Sequence, residues 1–132
     1  MRTTLPAIAA SSLVLGGCVG SPTGPDPPEL THPAEMDMQG AINCAADALG
    51  TRELELWFWY DREWITLEDG RLAFVACRAG LQSRVVKCDH RWVLESAHLE
   101  RVETAAHEVA HVAGDYEEPP LETMAQALAV CK

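Results

Sequence analysis

Residues 99–114 read LERVETAAHEVAHVAG and predict the helix on which the fold of this chain depends. The apolar residues of this stretch recur at steps of three and four, so they share one buried face of a helix: Val102, Ala106, Val109 and Ala113. Ser96 is a candidate N-cap. Gly114 follows the last periodic residue, where glycine commonly ends a helix. We therefore predict a helix over residues 99–113.

The same stretch carries two histidines with a glutamate beside the first. His107 and His111 lie one turn apart on a helix, separated by about 40° around its axis. Two imidazoles so placed can bind one zinc ion at about 2.0–2.1 Å. Glu108 projects to the side, where it can take a proton from a zinc-bound water. We predict that His107 and His111 are metal ligands and that Glu108 is the catalytic base; the alternative is a solvated polar helix face.

A catalytic zinc usually has three protein ligands, so a third must be found. Glu122 lies in the first turn of the next predicted helix. A short loop favours an antiparallel pair of helices, which would place Glu122 opposite His111. Asp115 and Glu117, in the loop itself, remain alternatives. Tyr116 and His98 are candidate donors to a developing oxyanion, although no spacing argument supports either.

The rest of the chain predicts an α+β domain. Gly50 ends a first helix over residues 38–49, and Asp69-Gly70 is a strong signal for a hairpin turn. The predicted strands cover residues 52–60, 64–68, 71–77, 84–88 and 91–95, and a last helix covers residues 121–131. We expect an N-terminal helix, a small and mostly antiparallel sheet, the helix of residues 99–113 and a C-terminal helix.

The beginning of the chain has the composition of an export signal. Residues 1–17, MRTTLPAIAASSLVLGG, form a mostly apolar run that is too short for a permanent membrane span. The sequence LGGC at residues 15–18 resembles the bacterial lipobox, which implies a lipid on Cys18. Residues 18–34 are rich in Pro, Gly and Ser and predict an extended tether. We expect residues 35–132 to form one domain, anchored to a membrane of the bacterial cell envelope and facing its extracytoplasmic side.

Four further cysteines fall in this domain. An even number in an exported chain favours two disulfides, and the sequence favours Cys44 with Cys131 and Cys77 with Cys88. A zinc site of four thiolates is disfavoured because the sequence contains no C-x-x-C pair.

The chain has a formal net charge of −10. An acidic domain without a basic patch has no means of displacing counterions from nucleic acid, so nucleic acid is not an expected partner. We expect a monomer whose partners are a protein or peptide substrate and the membrane.

Residues 107–111, HEVAH, and residues 122–129, ETMAQALA, together resemble the gluzincin metallopeptidases, most of all the minigluzincins and the ImmA/IrrE-type peptidases. In those families a Glu on the helix after H-E-x-x-H begins a pattern like E-x-x-A-N-x-F-A. The resemblance implies a minimal zincin-like domain that binds Zn2+ through His107, His111 and Glu122. It also implies that Glu108 acts as general base and then as acid.

The sequence thus predicts an exported, membrane-anchored zinc metallopeptidase that hydrolyses peptide bonds through a zinc-bound water. The alternative is a non-catalytic envelope lipoprotein that binds a protein partner and whose zinc site is vestigial or structural. A change of Glu108 to Gln separates the two, since only the enzyme depends on that carboxylate.

Overall fold

A computed structural model describes residues 26–80 and 83–132. The predicted signal peptide, Cys18 and the first part of the predicted tether lie outside the described residues. No helix among the described residues is long and apolar enough to cross a membrane. The helices are α1 (Pro33–Leu49), α2 (His90–Glu95), α3 (His98–Val112) and α4 (Leu121–Cys131). The strands are β1 (Glu55–Trp59), β2 (Trp64–Thr66), β3 (Leu72–Phe74), β4 (Cys77–Ala79) and β5 (Val85–Asp89).

The fold is α+β, as predicted, but the sheet is mixed. β5 lies in the middle of a three-stranded sheet, parallel to β1 and antiparallel to β4, while β2 and β3 form a separate antiparallel hairpin. Two of the three strand pairings are antiparallel, as expected, and the pairing of β1 with β5 is the parallel exception. Parallel strands need a long connection, and here the hairpin and β4 provide it.

The predicted strand over residues 71–77 is divided into β3 and β4. The N–H of Val75 donates to the carbonyl of Glu63, next to the hairpin, whereas the carbonyl of Ala76 accepts from the N–H of Asp89 at the end of β5. The backbone hydrogen bonds therefore change partner between Val75 and Ala76, and the strand ends there.

The prediction of a strand over residues 91–95 is wrong, because this segment is helix α2. The side chain of Asp89 accepts a hydrogen bond from the N–H of Trp92 at 2.9 Å and so caps the helix. Ser96 ends α2 and is not the N-cap of α3. That position belongs to Ala97, whose N–H donates to the carboxylate of Glu100 at 2.8 Å.

Helix α1 begins at Pro33, ahead of the predicted Met38 and inside the predicted tether. A ring nitrogen of His32 accepts from the N–H of Ala34, and the carboxylate of Glu35 accepts from the N–H groups of Thr31 and His32 at 2.9 and 2.8 Å. These bonds satisfy N–H groups that a helix start otherwise leaves unpaired.

Helix α3 packs against α1, α4 and β4. Three residues of its predicted apolar face are almost fully buried: Val102, Ala106 and Val109. Ala113, the fourth, is exposed because α3 ends at Val112. The helix is therefore central to the core, and its buried face is largely the one that the periodicity predicted.

Both expected disulfides are present. Cys44–Cys131 joins α1 to α4, and Cys77–Cys88 joins facing residues of β4 and β5. The pairing is the one that the sequence favoured. One bond therefore fastens the last helix to the first, and the other fastens an edge strand to the middle strand of the sheet.

Candidate metal centre

The two histidines and the glutamate of HEVAH are buried. His107 is 4% exposed, His111 is 6% exposed and Glu108 is 0% exposed. All residues from 104 to 112 are buried, so the side of α3 opposite its apolar face is covered as well. This excludes a solvated polar helix face. Polar groups are costly to remove from water, so the burial of three ionisable side chains within two turns calls for a local arrangement that stabilises them.

A carboxylate from the loop between α3 and α4, that of Glu118, faces the two histidines. Its Oε1 lies 3.2 Å from Nε2 of His107, and its Oε2 lies 3.7 Å from Nε2 of His111. One ligand atom from each of the three residues can be chosen so that all lie within 4.8 Å of one another. The loop thus brings one carboxylate against the ring nitrogens of both histidines.

This donor set fits a divalent metal such as zinc. Ligand atoms on a tetrahedral zinc with bonds of about 2.0–2.1 Å lie about 3.3 Å apart, and the Glu118 oxygens lie 3.2 and 3.7 Å from the two Nε2 atoms. Two imidazoles and one carboxylate are a common set for a catalytic zinc with an open fourth position. A dication would also offset the negative charge of a carboxylate that lies against two imidazoles.

A hydrogen bond to the backbone fixes the tautomer of His111. Its Nδ1 lies 2.8 Å from the carbonyl oxygen of Asp115. A carbonyl oxygen can only accept, so Nδ1 carries the proton and, in the neutral ring, Nε2 carries the lone pair. That nitrogen faces Glu118. The ring is therefore held in the form that a metal ligand requires.

The other predicted ligands are not part of this group. Glu117 and Glu122 are exposed. The carboxylate of Asp115 accepts hydrogen bonds from the hydroxyl of Thr123 and from the N–H of Glu117. The hydrogen bond from Thr123, more than any other contact, lowers the pKa of Asp115 below its ordinary value.

The two candidate oxyanion donors also lie apart from the histidine pair or face solvent. His98 is in the first turn of α3 and hydrogen-bonds the carboxylate of Asp37. At 1.5 Å per residue, it lies about 13 Å along the helix from His107. Tyr116 is 61% exposed. Neither residue belongs to the group formed by His107, His111 and Glu118.

Spacing alone could not single out Glu118. Three carboxylates in the loop and one at the start of α4 all lie within reach of His111, and only the path of the backbone decides between them. Gly114, at a φ of +104°, turns the chain after α3, and the Asp115 side chain binds the N–H of Glu117. Glu118 precedes Pro119, which favours an extended backbone. That Glu-Pro pair was the one available signal.

A separate groove of about 600 Å³ lies along the outer edge of β1, and none of His107, His111 or Glu118 lines it. The side chain of Gln39, which does line it, accepts from the N–H of Leu56 at 2.9 Å and donates to the carbonyl of Leu54 at 3.0 Å. The amide thus takes the place of a neighbouring strand at this edge, so a peptide cannot pair with β1 there.

Comparisons with models of known protein families, with curated proteins and with solved structures give no significant match. The resemblance to gluzincins therefore rests on the residues of this chain. The case for a metal site likewise rests on the positions and the chemistry of His107, His111 and Glu118.

Proposed function

We propose that this protein is a zinc-dependent metallopeptidase whose metal is held by His107, His111 and Glu118. The observation that carries the proposal is the placement of the Glu118 carboxylate 3.2 and 3.7 Å from the Nε2 atoms of two buried histidines. Glu108, adjacent to one of them on the same helix, supplies the acid–base group that hydrolysis needs.

The roles of the residues follow from their chemistry. Bound at these ligands, zinc would lower the pKa of a coordinated water towards about 7 and polarise a carbonyl group. Glu108 would accept the proton of that water and later deliver it to the leaving amine. His111, oriented by the carbonyl of Asp115, would hold the metal through Nε2.

The sheet favours a peptide as substrate. β4 lies at an edge of the three-stranded sheet and packs against α3, the helix that carries the histidines. An extended peptide can add to such an edge through main-chain hydrogen bonds, which brings its scissile bond to the helix beneath. At the corresponding edge of β1, Gln39 already binds the backbone of Leu54 and Leu56. β4 is therefore the edge that we assign to the substrate.

The proposal includes the zincin-like, gluzincin-type architecture, with one change from the sequence-based expectation. Glu118, in the loop before α4, replaces Glu122 as the third ligand. Export and lipid attachment at Cys18 are also proposed, on the strength of the sequence alone.

A second candidate is a non-catalytic envelope protein in which the metal is structural. The burial of His107 and His111, at 4% and 6% exposure, favours it, because a catalytic zinc needs a position open to water and substrate and a structural zinc does not. The two candidates share the ligands and differ in whether Glu108 serves a reaction.

The test compares Glu108→Gln with Glu103→Gln in the purified, oxidised full chain. Glu103 is exposed on the same helix and serves as the control. We measure hydrolysis of a library of unstructured peptides by mass spectrometry and zinc content by elemental analysis. We expect Glu108→Gln to keep its zinc and to lose activity by about 10²-fold or more, and Glu103→Gln to match the parent.

A parent protein that holds one zinc and cleaves no peptide would favour the structural site. A folded parent that holds no zinc would contradict both candidates.

A further inference from the structure

We infer that Asp115 is the positioning residue of the metal centre and that it acts through Thr123. The inference rests on the proposed metal site of His107, His111 and Glu118. The main chain of Asp115 contacts His111. Its side chain binds the residue before Glu118 and a residue of α4 after it.

The main-chain contact fixes the orientation of the His111 imidazole. The carbonyl of Asp115 accepts from Nδ1 of His111 at 2.8 Å, and the N–H of Asp115 donates to the carbonyl of Ala110 at 3.0 Å. Asp115 is therefore anchored to the end of α3, and its position is tied to that of the imidazole.

The side-chain contacts enclose Glu118. One carboxylate oxygen of Asp115 accepts from the N–H of Glu117 at 3.0 Å, and the other accepts from the hydroxyl of Thr123 in the first turn of α4. Glu118 lies between these two points along the chain. A single carboxylate thus holds the loop immediately before the third ligand and the helix just after it.

The start of α4 is held by the fully buried ring of Pro120 and, among the described residues, by few polar side-chain contacts. Its N-cap, Pro120, provides no side-chain hydrogen bond, and Ala127 is its only fully buried residue among those described. Met124 and Leu128 are partly buried against the core. The bond between Asp115 and Thr123 is therefore the polar contact that sets the distance between the start of α4 and the end of α3.

The test uses Thr123→Val, Thr123→Ser, Asp115→Ala and the double variant Asp115→Ala/Thr123→Val in the full chain. Valine removes the hydroxyl at nearly constant volume, and serine keeps it. Asp115→Ala removes the carboxylate and leaves the carbonyl that binds His111. Glu117→Gln is the control, since its exposed carboxylate lies in the same loop outside these contacts. Zinc affinity is measured by competition with a chromogenic chelator.

We expect Thr123→Val and Asp115→Ala to bind zinc about 10- to 100-fold more weakly, as is typical for groups that orient a ligand. Thr123→Ser and Glu117→Gln should match the parent. The double variant should be no weaker than Asp115→Ala, because both changes break one contact. The visible spectrum of the Co2+-substituted protein should change in the two weak variants and not in Thr123→Ser.

Parent-like zinc affinity in Thr123→Val and Asp115→Ala would overturn the inference while leaving the proposed metal site standing. Additive losses in the double variant, or a loss in Thr123→Ser equal to that in Thr123→Val, would also overturn it. A parent that binds no zinc overturns the proposed function and this inference together.

Discussion

The carboxylate of Asp37 joins α1 to the beginning of α3. It accepts from Nδ1 of His98 at 2.8 Å and from Nε of Arg101 at 2.8 Å. Burial raises the pKa of Asp37, but these hydrogen bonds and the positive charges of His98 and Arg101 outweigh it, and the pKa lies below its ordinary value of 3.8. A lowered pKa means that folding favours the ionised form. Asp37 therefore stabilises the fold above about pH 3.8, and this contribution is lost as the pH falls through the lower, folded value.

We predict that Asp37→Asn lowers the free energy of unfolding by about 1 kcal/mol near pH 5, since a hydrogen-bonded ion pair becomes a weaker neutral contact. The difference should be smaller at about pH 2.5 than at pH 5, because a larger fraction of Asp37 in the parent is then protonated. Asp47→Asn, an exposed change on the same helix, is the control. Urea unfolding at both pH values measures the effect. An equal loss at both would contradict the assignment.

At the scale of single residues, the sequence pointed to the histidines of HEVAH as a candidate site and did not point to Glu118, which lies beside them in the structure. The helical period fixes His107 and His111 relative to each other, because both lie on one regular element. Glu118 lies in an irregular loop whose path depends on Gly114 and on the hydrogen bonds of Asp115. The number of residues between His111 and each carboxylate does not predict the path of this loop, so the prediction favoured Glu122.

At the scale of elements, helix ends depend on a few residues with special backbone angles. Gly114 lies just after α3, at the beginning of the loop that carries Glu118. Its φ of +104° is a backbone angle at which a side chain is strained. Gly40 lies inside α1 with open space around the position of a Cβ. The two glycines therefore differ in whether the fold requires them.

We predict opposite effects for the two substitutions to alanine. Gly114→Ala should lower the free energy of unfolding by about 1–2 kcal/mol, the cost of a left-handed conformation with a side chain. Gly40→Ala should raise it by about 0.5–1 kcal/mol, because alanine restricts the unfolded chain and favours helix. Thermal unfolding of both variants checks the signs. A stabilising Gly114→Ala would contradict the structural role given to that turn.

The elements that the sequence predicted are those whose signals are local. The periodicity of residues 99–113 predicted α3, and Gly50, as a helix stop, predicted the end of α1. Helix α2 was missed because His90–Glu95 is too short to show a period, and only the capping side chain of Asp89 distinguishes it from a strand.

At the scale of the whole molecule, local sequence patterns do not predict which distant segments pair. β1 pairs with β5 across a connection that includes the hairpin and β4, so no local pattern predicted the parallel register. The disulfides were more accessible to prediction, since four cysteines allow few pairings.

The Cys44–Cys131 bond should contribute strongly to stability. The two residues are 87 positions apart, against 11 for Cys77–Cys88. The chain-entropy relation gives about 4.6 kcal/mol for the larger loop and about 2.8 kcal/mol for the smaller one. We predict that Cys44→Ala/Cys131→Ala lowers the free energy of unfolding by about 4–5 kcal/mol, as measured by urea unfolding. A loss below about 2 kcal/mol would show that the packing of α4 suffices without the bond.

The measurement that tests the central claim most directly is the zinc content of the parent beside Glu118→Gln and Glu122→Gln. Each purified, oxidised full chain is loaded with zinc, dialysed and assayed by elemental mass spectrometry. We predict one zinc per chain in the parent and in Glu122→Gln, and a marked loss in Glu118→Gln, since an amide is a weaker ligand than a carboxylate. One zinc retained in Glu118→Gln and lost in Glu122→Gln would contradict the site described here, as would a folded parent without zinc.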